Sequence, residues 1–298
     1  MPKTLAVISV LGQDQKAIVA RFATFLAGHG VNIEDLQQHV LRGLFVMDMA
    51  VDIGEMDISL DELVTGLLDV GTSIGMEVRV TLASERRDRK IAVLVSKEPH
   101  CLQKLLDDQR EGLLRRGHID CVLANHPDLK PIADADGVHF AHSPSGDKGG
   151  HMKWLRDTML TRQIDAVVLA RYMQILTAEV VGPFRNRIIN IHPSLLPHFP
   201  GPAPYRQAFE AGVRVTGCTA HFVTETLDEG PIILQDVFHI EVGKDTAEDV
   251  RRKGLELEAE VLSRALRLFL NDQLLVADDR VVFRPGLSTL LDAPPTRD

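Results

Sequence analysis

The six residues Ser84-Glu85-Arg86-Arg87-Asp88-Arg89 carry no apolar side chain, and the hydrophobic rhythm differs on their two sides. A stretch without apolar periodicity has nothing to bury, so it reads as a connection between parts that pack independently. On its N-terminal side, residues 4–10 form a strand-sized apolar run. Ile18, Val19, Phe22, Phe25 and Leu26 then recur at helical spacing until Gly28 and Gly30 close the helix. Residues 31–41 and 44–53 read as two strands joined at Arg42-Gly43, the second alternating through Phe45, Met47, Met49 and Val51. Ser59-Leu60-Asp61-Glu62 fits a capping box, in which the serine oxygen and the glutamate carboxylate satisfy free backbone donors at a helix start. Leu60, Leu63, Leu67 and Ile74 give that helix its apolar face, and residues 77–83 supply a last strand. The order βαββαβ predicts an α+β, ferredoxin-like domain over residues 1–84, with two helices on one face of an antiparallel sheet.

Beyond the polar stretch the pattern becomes strand, helix, strand, helix. Residues 90–95, 119–124, 166–170 and 187–191 are continuous apolar strands. Leu102, Leu105, Leu106 and Leu113, then Met152, Leu155, Met159 and Leu160, mark helices between them. This alternation predicts an α/β, doubly wound, mostly parallel sheet over residues 90–285. Residues 215–224 and 231–240 read as a further strand pair, and Val250, Leu257, Val261, Leu262 and Phe269 as a long closing helix. The tail from Ala293 is expected to be disordered. The halves differ in pattern, so the chain is not a duplication.

Of the 298 residues, 45% are apolar and 25% charged, which suffices for two full cores. No apolar run exceeds strand length, and Met1-Pro2-Lys3 leads straight into a strand, so a cytoplasmic protein is expected, with neither membrane span nor signal peptide. Cys101, Cys121 and Cys218 are odd in number and widely spaced, which argues against a disulfide framework or a zinc module. A net charge of -9 disfavours nucleic-acid binding, and residues 1–84 hold 5 basic against 11 acidic side chains.

The chemistry concentrates at Ile189-Asn190-Ile191-His192-Pro193-Ser194-Leu195-Leu196-Pro197. In an extended strand Asn190 and His192 share one face while Ile189 and Ile191 anchor the other. An amide donor beside a side chain that titrates near neutrality suits acyl transfer, where an oxyanion forms and protons move. Two polar residues capping a turn would read the same way. Asp228, in Leu227-Asp228-Glu229-Gly230, is open to an acid-base role and equally to plain turn chemistry.

Four stretches then combine: residues 97–102 (Lys-Glu-Pro-His-Cys-Leu), 169–176 (Leu-Ala-Arg-Tyr-Met-Gln-Ile-Leu), 190–197, and Gly217-Cys218-Thr219-Ala220-His221-Phe222-Val223 running on to Ile233. Together they resemble the formyltransferase-fold family that uses 10-formyltetrahydrofolate. Within it the chain is most similar to the formyltetrahydrofolate deformylases, which also carry an N-terminal ACT domain of βαββαβ order. The resemblance implies hydrolysis of 10-formyltetrahydrofolate to formate and tetrahydrofolate, feeding one-carbon and purine metabolism. Asn190, His192 and Asp228 match the family's catalytic residues. A carboxylate beside the imidazole is expected to raise the histidine pKa. Tyr172, Met173, Gln174, Ile175, Leu176, Val223 and Leu227 are expected along the folate, although Met173, Ile175 and Leu176 would also fit a helix core. Lys148, Lys153 and Arg171 are candidate partners for its glutamate tail. The ACT domain implies an amino-acid effector near Gly12, Asp14 and Asn32, and a homo-oligomer. No metal or redox cofactor is implied beyond the folate substrate; His139 and His142 lack a third ligand in any metal-binding pattern.

Glycinamide ribonucleotide transformylases share this fold, and a formyl-transfer reading therefore competes. Gripping a ribose phosphate needs a glycine-rich loop of free backbone donors after the first strand, whereas residues 95–100 read Val-Ser-Lys-Glu-Pro-His. Water is the expected acceptor, with His100 placed to help position it. Three departures from the deformylase pattern accompany this: Pro193 follows His192 where a second histidine is usual, Gln174 replaces an arginine, and Ala17 replaces a glycine. A non-catalytic amino-acid sensor is the remaining alternative, opposed by the intact Asn190, His192 and Asp228.

Overall fold

The computed structural model describes residues 3–82, 88–198, 203–277 and 279–283. They divide into two compact units, one N-terminal and one comprising residues 88–283. The expected connection lies mostly outside the described residues, as does the C-terminal tail.

The first unit runs β1 (Leu5–Gln13), α1 (Ile18–Gly28), β2 (Asn32–Leu41), β3 (Leu44–Asp52), α2 (Leu60–Ser73) and β4 (Glu77–Leu82). Its strands are antiparallel in the order β2-β3-β1-β4. Ile18, Phe22 and Leu26 of α1 and Leu63 and Leu67 of α2 pack on Ala6, Ile8, Val10, Met47 and Met49, so the period-3.6 and period-2 stripes meet in one core. The capping box at α2 is formed in full: the Ser59 amide donates to Glu62 Oε2 at 2.8 Å and the Glu62 amide donates to Ser59 Oγ at 3.2 Å. Helix α1 has no side-chain cap; Ala17 enters it at φ 70°, in the left-handed region that favours glycine.

Register separates the three expected effector residues. Asn32 pairs with Asp52, which pairs with Leu5, whereas Gly12 pairs with Phe45 at the opposite end of β1. Leu5 and Gly12 are seven residue steps apart along β1, about 24 Å. Gly12 and Asp14 adjoin, with the Asp14 amide donating to Gly43 O at 2.7 Å, while the Asn32 side chain donates to Glu34 Oε1 at 2.7 Å. A single copy of this unit therefore does not gather all three. Strand β1 also runs three residues further than the apolar pattern implies, because Leu11, Gly12 and Gln13 complete the ladder with β3.

The second unit runs β5 (Arg89–Val95), α3 (His100–Arg110), β6 (Gly117–Ala124), α4 (Lys130–Ala135), β7 (His139–His142), α5 (Lys148–Thr161), β8 (Ala166–Ala170) and α6 (Ala178–Val181). It continues through β9 (Ile188–His192), α7 (Pro204–Glu210), β10 (Val215–Phe222), β11 (Ile232–His239), α8 (Ala247–Leu270) and the hairpin β12 (Leu274–Ala277), β13 (Arg280–Phe283). The sheet order is β11-β10-β9-β8-β5-β6-β7, parallel from β9 to β7, with β10 antiparallel to both neighbours. Successive residues of β5 feed opposite cores: Ile91, Val93 and Val95 pack with α3 and α8, and Ala92 and Leu94 pack with α5. A strand buried on both faces must be apolar throughout, which is why β5 and β8 read as unbroken runs. The chain reverses its direction of winding between β5 and β8, and the ends of β5, β8 and β9 border the crevice where open α/β sheets bind ligands.

The helices α4, α6 and α7 and the strands β7, β12 and β13 have no counterpart among the expected elements. Each spans four to seven residues, too short for a period to declare itself. No helix among the described residues is long and apolar enough to cross a membrane.

Candidate active site

Strand β9 carries Asn190 and His192 to the edge of the crevice. Ile189 and Ile191 are buried in the core on the other face, so the polar pair faces the cavity side as the alternation requires. Antiparallel pairing with β10 sets His221 directly opposite Asn190. The Asn190 amide nitrogen lies 3.1 Å from His221 Nε2, and His221 Nδ1 lies 3.0 Å from the Phe222 carbonyl oxygen. A carbonyl only accepts, so the proton sits on Nδ1 and Nε2 accepts from Asn190. His221 thereby orients the carboxamide and leaves its second N–H to point elsewhere.

The loop between β10 and β11 supplies Asp228. The Phe222 amide donates to Pro231 O at 2.9 Å and closes the loop, within which Asp228 takes φ 56°. Aspartate tolerates the left-handed region better than most residues, so turn chemistry and site chemistry are served by the same residue here. Its Oδ2 lies 3.3 Å from His192 Nδ1 and its Oδ1 lies 3.7 Å from His221 Nε2. One carboxylate thus faces two imidazoles. His192 Nε2 is buried without a hydrogen-bond partner, although His192 lines the cavity.

Burial lowers the His192 pKa below the usual 6.5, outweighing the opposing charge of Asp228; the Arg171 charge adds to the lowering. This reverses the expectation that the carboxylate would win, because desolvation of the imidazolium is the larger effect. His221 is lowered as well, again chiefly by burial. Both rings are therefore neutral at pH 7, poised to accept a proton.

These groups open on a cavity of 810 Å³. Tyr172, Met173, Gln174, Ile175, Leu176, Val223 and Leu227 all line it. Residues 172–176 form no helix, so the helix-core reading of Met173, Ile175 and Leu176 does not hold. The Met173 amide donates to Ser96 Oγ at 3.0 Å, and Ser96 donates to Asn125 Oδ1 at 2.7 Å, which ties this segment to the ends of β5 and β6. Tyr172 and Leu176 turn into the core while Met173 and Ile175 stay exposed. Tyr205 from α7 and Arg251 and Leu255 from α8 also line the cavity.

His100 is not among those walls. It begins α3, and its Nε2 lies 3.1 Å from Oε2 of the fully buried Glu258. Of the candidate tail partners, Arg171 lines the cavity and Lys148 and Lys153 on α5 do not. His139 and His142 lie on β7; among the described residues the one group spaced to hold a metal is His100, Cys101 and Glu258. The sequence reading passed over His221, Tyr205 and Glu258. His221 stood inside a quoted motif, but the β9–β10 register that sets it opposite Asn190 has no local signature.

A family model described as formyl transferase matches residues 89–266, and one described as ACT domain matches residues 4–81. The formyltetrahydrofolate deformylase of Synechocystis sp. is 40% identical over 288 residues, covering 95% of this chain and 99% of that protein. The Bacillus subtilis deformylase is 35% identical over 274 residues, 90% of each. A crystal structure of a deformylase from Pseudomonas syringae pv. tomato matches with a TM-score of 0.85 at 33% identity, covering 95% of both chains. Glycinamide ribonucleotide transformylase 1 from Symbiobacterium toebii matches with a TM-score of 0.62 at 38% identity, covering 94% of its own chain but 66% of this one. The likeness to deformylases extends over nearly the whole chain where that to the transformylase leaves a third unmatched, and the chain belongs to the formyltetrahydrofolate deformylase family.

Proposed function

We propose that Asn190, His192 and Asp228 carry the hydrolysis of 10-formyltetrahydrofolate, the reaction of the deformylase family, with His221 as a positioning residue. The observation that carries this is the convergence of one carboxylate, two neutral imidazoles and an oriented carboxamide on one cavity. The Asn190 N–H not taken by His221 would donate to the formyl oxygen as it becomes an oxyanion. Water attacks the formyl carbon and gives its proton to His192 Nε2. Asp228 stabilises the imidazolium that results. The C–N10 bond then breaks, its electron pair stays on nitrogen, and the proton held by His192 passes to that nitrogen, leaving formate and tetrahydrofolate.

The cavity volume suits a drug-sized ligand. The exposed apolar side chains of Met173, Ile175 and Leu227 are proposed to face the flat folate rings. Residues 1–84 are proposed to serve regulation and assembly of a cytoplasmic homo-oligomer, with an effector site that takes Gly12 and Asp14 from one copy; Asn32 would have to come from another. Incubating the protein with 10-formyltetrahydrofolate alone, then with glycinamide ribonucleotide added, tests the function. Formate released without acceptor supports it, and turnover that requires the ribonucleotide overturns it.

A further inference from the structure

Residues 171–176 line the cavity without forming helix or strand, so contacts other than a strand ladder fix their course. The segment leaves β8 through Arg171 at φ 58°, and the Met173 amide and the buried Leu176 secure it further on. Between Arg171 and Met173, Tyr172 turns into the core that α5 covers, and its hydroxyl is hydrogen-bonded to His151 Nε2. His151 stands in the first turn of α5, 1% exposed, and is not a cavity wall.

The imidazole is itself confined. Its ring packs against Trp154, with centroids 5.6 Å apart, and lies at 21° to the Tyr172 ring with centroids 6.2 Å apart. Its backbone is held at the helix start, where the His151 amide donates to Asp147 O at 2.9 Å and the Asp147 side chain accepts from the Gly150 amide at 3.1 Å. Burial lowers the His151 pKa, with the Ser143 backbone opposing, and burial raises that of Tyr172. Two neutral groups therefore share one buried hydrogen bond, and removing either leaves a polar atom of the other without that partner.

We propose that His151 is a positioning residue for folate binding, holding the Tyr172 hydroxyl so that the residues after it present Met173 and Ile175 to the folate rings. This rests on the folate placement proposed above. Met173 and Ile175 are 66% and 54% exposed, so their own side chains have little packing to order them. Their place follows from their neighbours: Tyr172 before Met173 and Leu176 after Ile175. Leu176 packs without direction, whereas the phenol adds a directional contact. A wall ordered in advance spares the ligand the cost of ordering it, and that gain appears in affinity. Asn190, His192 and Asp228 belong to other elements, so the chemical step is expected to change less than binding.

The full chain is assayed for formate release over a range of 10-formyltetrahydrofolate concentrations, with tetrahydrofolate binding measured by titration calorimetry. His151→Phe is expected to raise KM and the tetrahydrofolate Kd about tenfold, the scale of one buried hydrogen bond, with a smaller change in kcat. His151→Gln, whose amide can reach the place of Nε2, is expected to recover most of that loss. Tyr172→Phe is expected to raise KM as well, and adding His151→Phe to it to raise KM by no more than about twofold further, because both changes remove the same contact. A role in stability alone would lower Tm and leave KM where it was, since KM does not depend on the folded fraction. Wild-type KM and Kd in either single variant, or losses that multiply in the double variant, overturn the inference. A wild-type protein that releases no formate overturns the hydrolytic reading, and the Kd comparison then decides the inference; a wild-type protein that does not bind tetrahydrofolate overturns it as well.

Discussion

Nδ1 of His192 lies 3.3 Å from Oδ2 of Asp228, joining the last residue of β9 to a loop 36 positions later in the chain. Of the charges that favour the protonated form of His192 the Asp228 carboxylate is the larger, ahead of Glu258, and it acts against burial. Asp228→Asn keeps the shape and removes the charge. Turnover is expected to fall by about 10²- to 10⁴-fold with little change in KM, read as formate release alongside folate binding. Near-wild-type turnover would remove Asp228 from the mechanism.

Asn190 is oriented by His221 at 3.1 Å. Replacing it with Ala removes an oxyanion donor, for which the barrier cost is about 3 to 4 kcal/mol, or roughly 10²- to 10³-fold in kcat. His221→Phe leaves Asn190 in place but unoriented, and a smaller loss in kcat is expected, again with KM largely retained. Equal losses in kcat/KM arising from KM alone would assign both residues to binding instead.

His192 and His221 both have pKa values lowered by burial from 6.5. A neutral His192 accepts the proton, so the acid limb of the kcat/KM profile is expected below pH 6.5. The stability consequence has the same sign. Both rings are neutral in the fold, while the unfolded chain takes up protons as pH falls through 6.5; the stability they contribute is complete above that pH and is lost progressively below it. Denaturant titrations at pH 7.5 and 5.5 should differ less for His221→Asn than for the wild type.

Gly254 lies inside α8, where an added Cβ would overlap the Tyr205 ring, and the Tyr205 hydroxyl donates to Gly254 O at 3.3 Å. Gly254→Ala gains about 1 kcal/mol of helix propensity but incurs overpacking of about 1 to 3 kcal/mol. A lowered Tm and a raised KM are expected together, because Tyr205 is a cavity wall. An unchanged Tm would mean the ring yields at no cost.

Ala17→Gly should act in the opposite direction. At φ 70° the alanine Cβ is strained, and relief net of the glycine entropy is expected to stabilise the N-terminal unit by about 0.5 to 1 kcal/mol. Thermal unfolding followed in that unit measures it; destabilisation would show that the Ala17 methyl contributes packing that outweighs the strain.

Local patterns carried most of the architecture. The helical stripe from Ile18 to Leu26, the alternation of β3, the capping box at Ser59 and the unbroken apolar runs of β5 and β8 each encode their element within a few residues, because burial on one face or two imposes a period on the sequence itself. The strand around Asn190 and His192 was legible for the same reason. Only the tertiary structure decided what surrounds that pair. The register of β10 against β9 brings His221 to Asn190, the loop after β10 brings Asp228 to His192, and α8 brings Glu258 Oε2 to 3.7 Å from Arg171 Nε. It also moved His100 from the site to that buried carboxylate and parted Asn32 from Gly12 along β1. These pairings join residues distant in the chain through sheet register and helix docking, which no local period encodes, and the sign of the His192 shift follows from burial that exists only once those elements have closed around it.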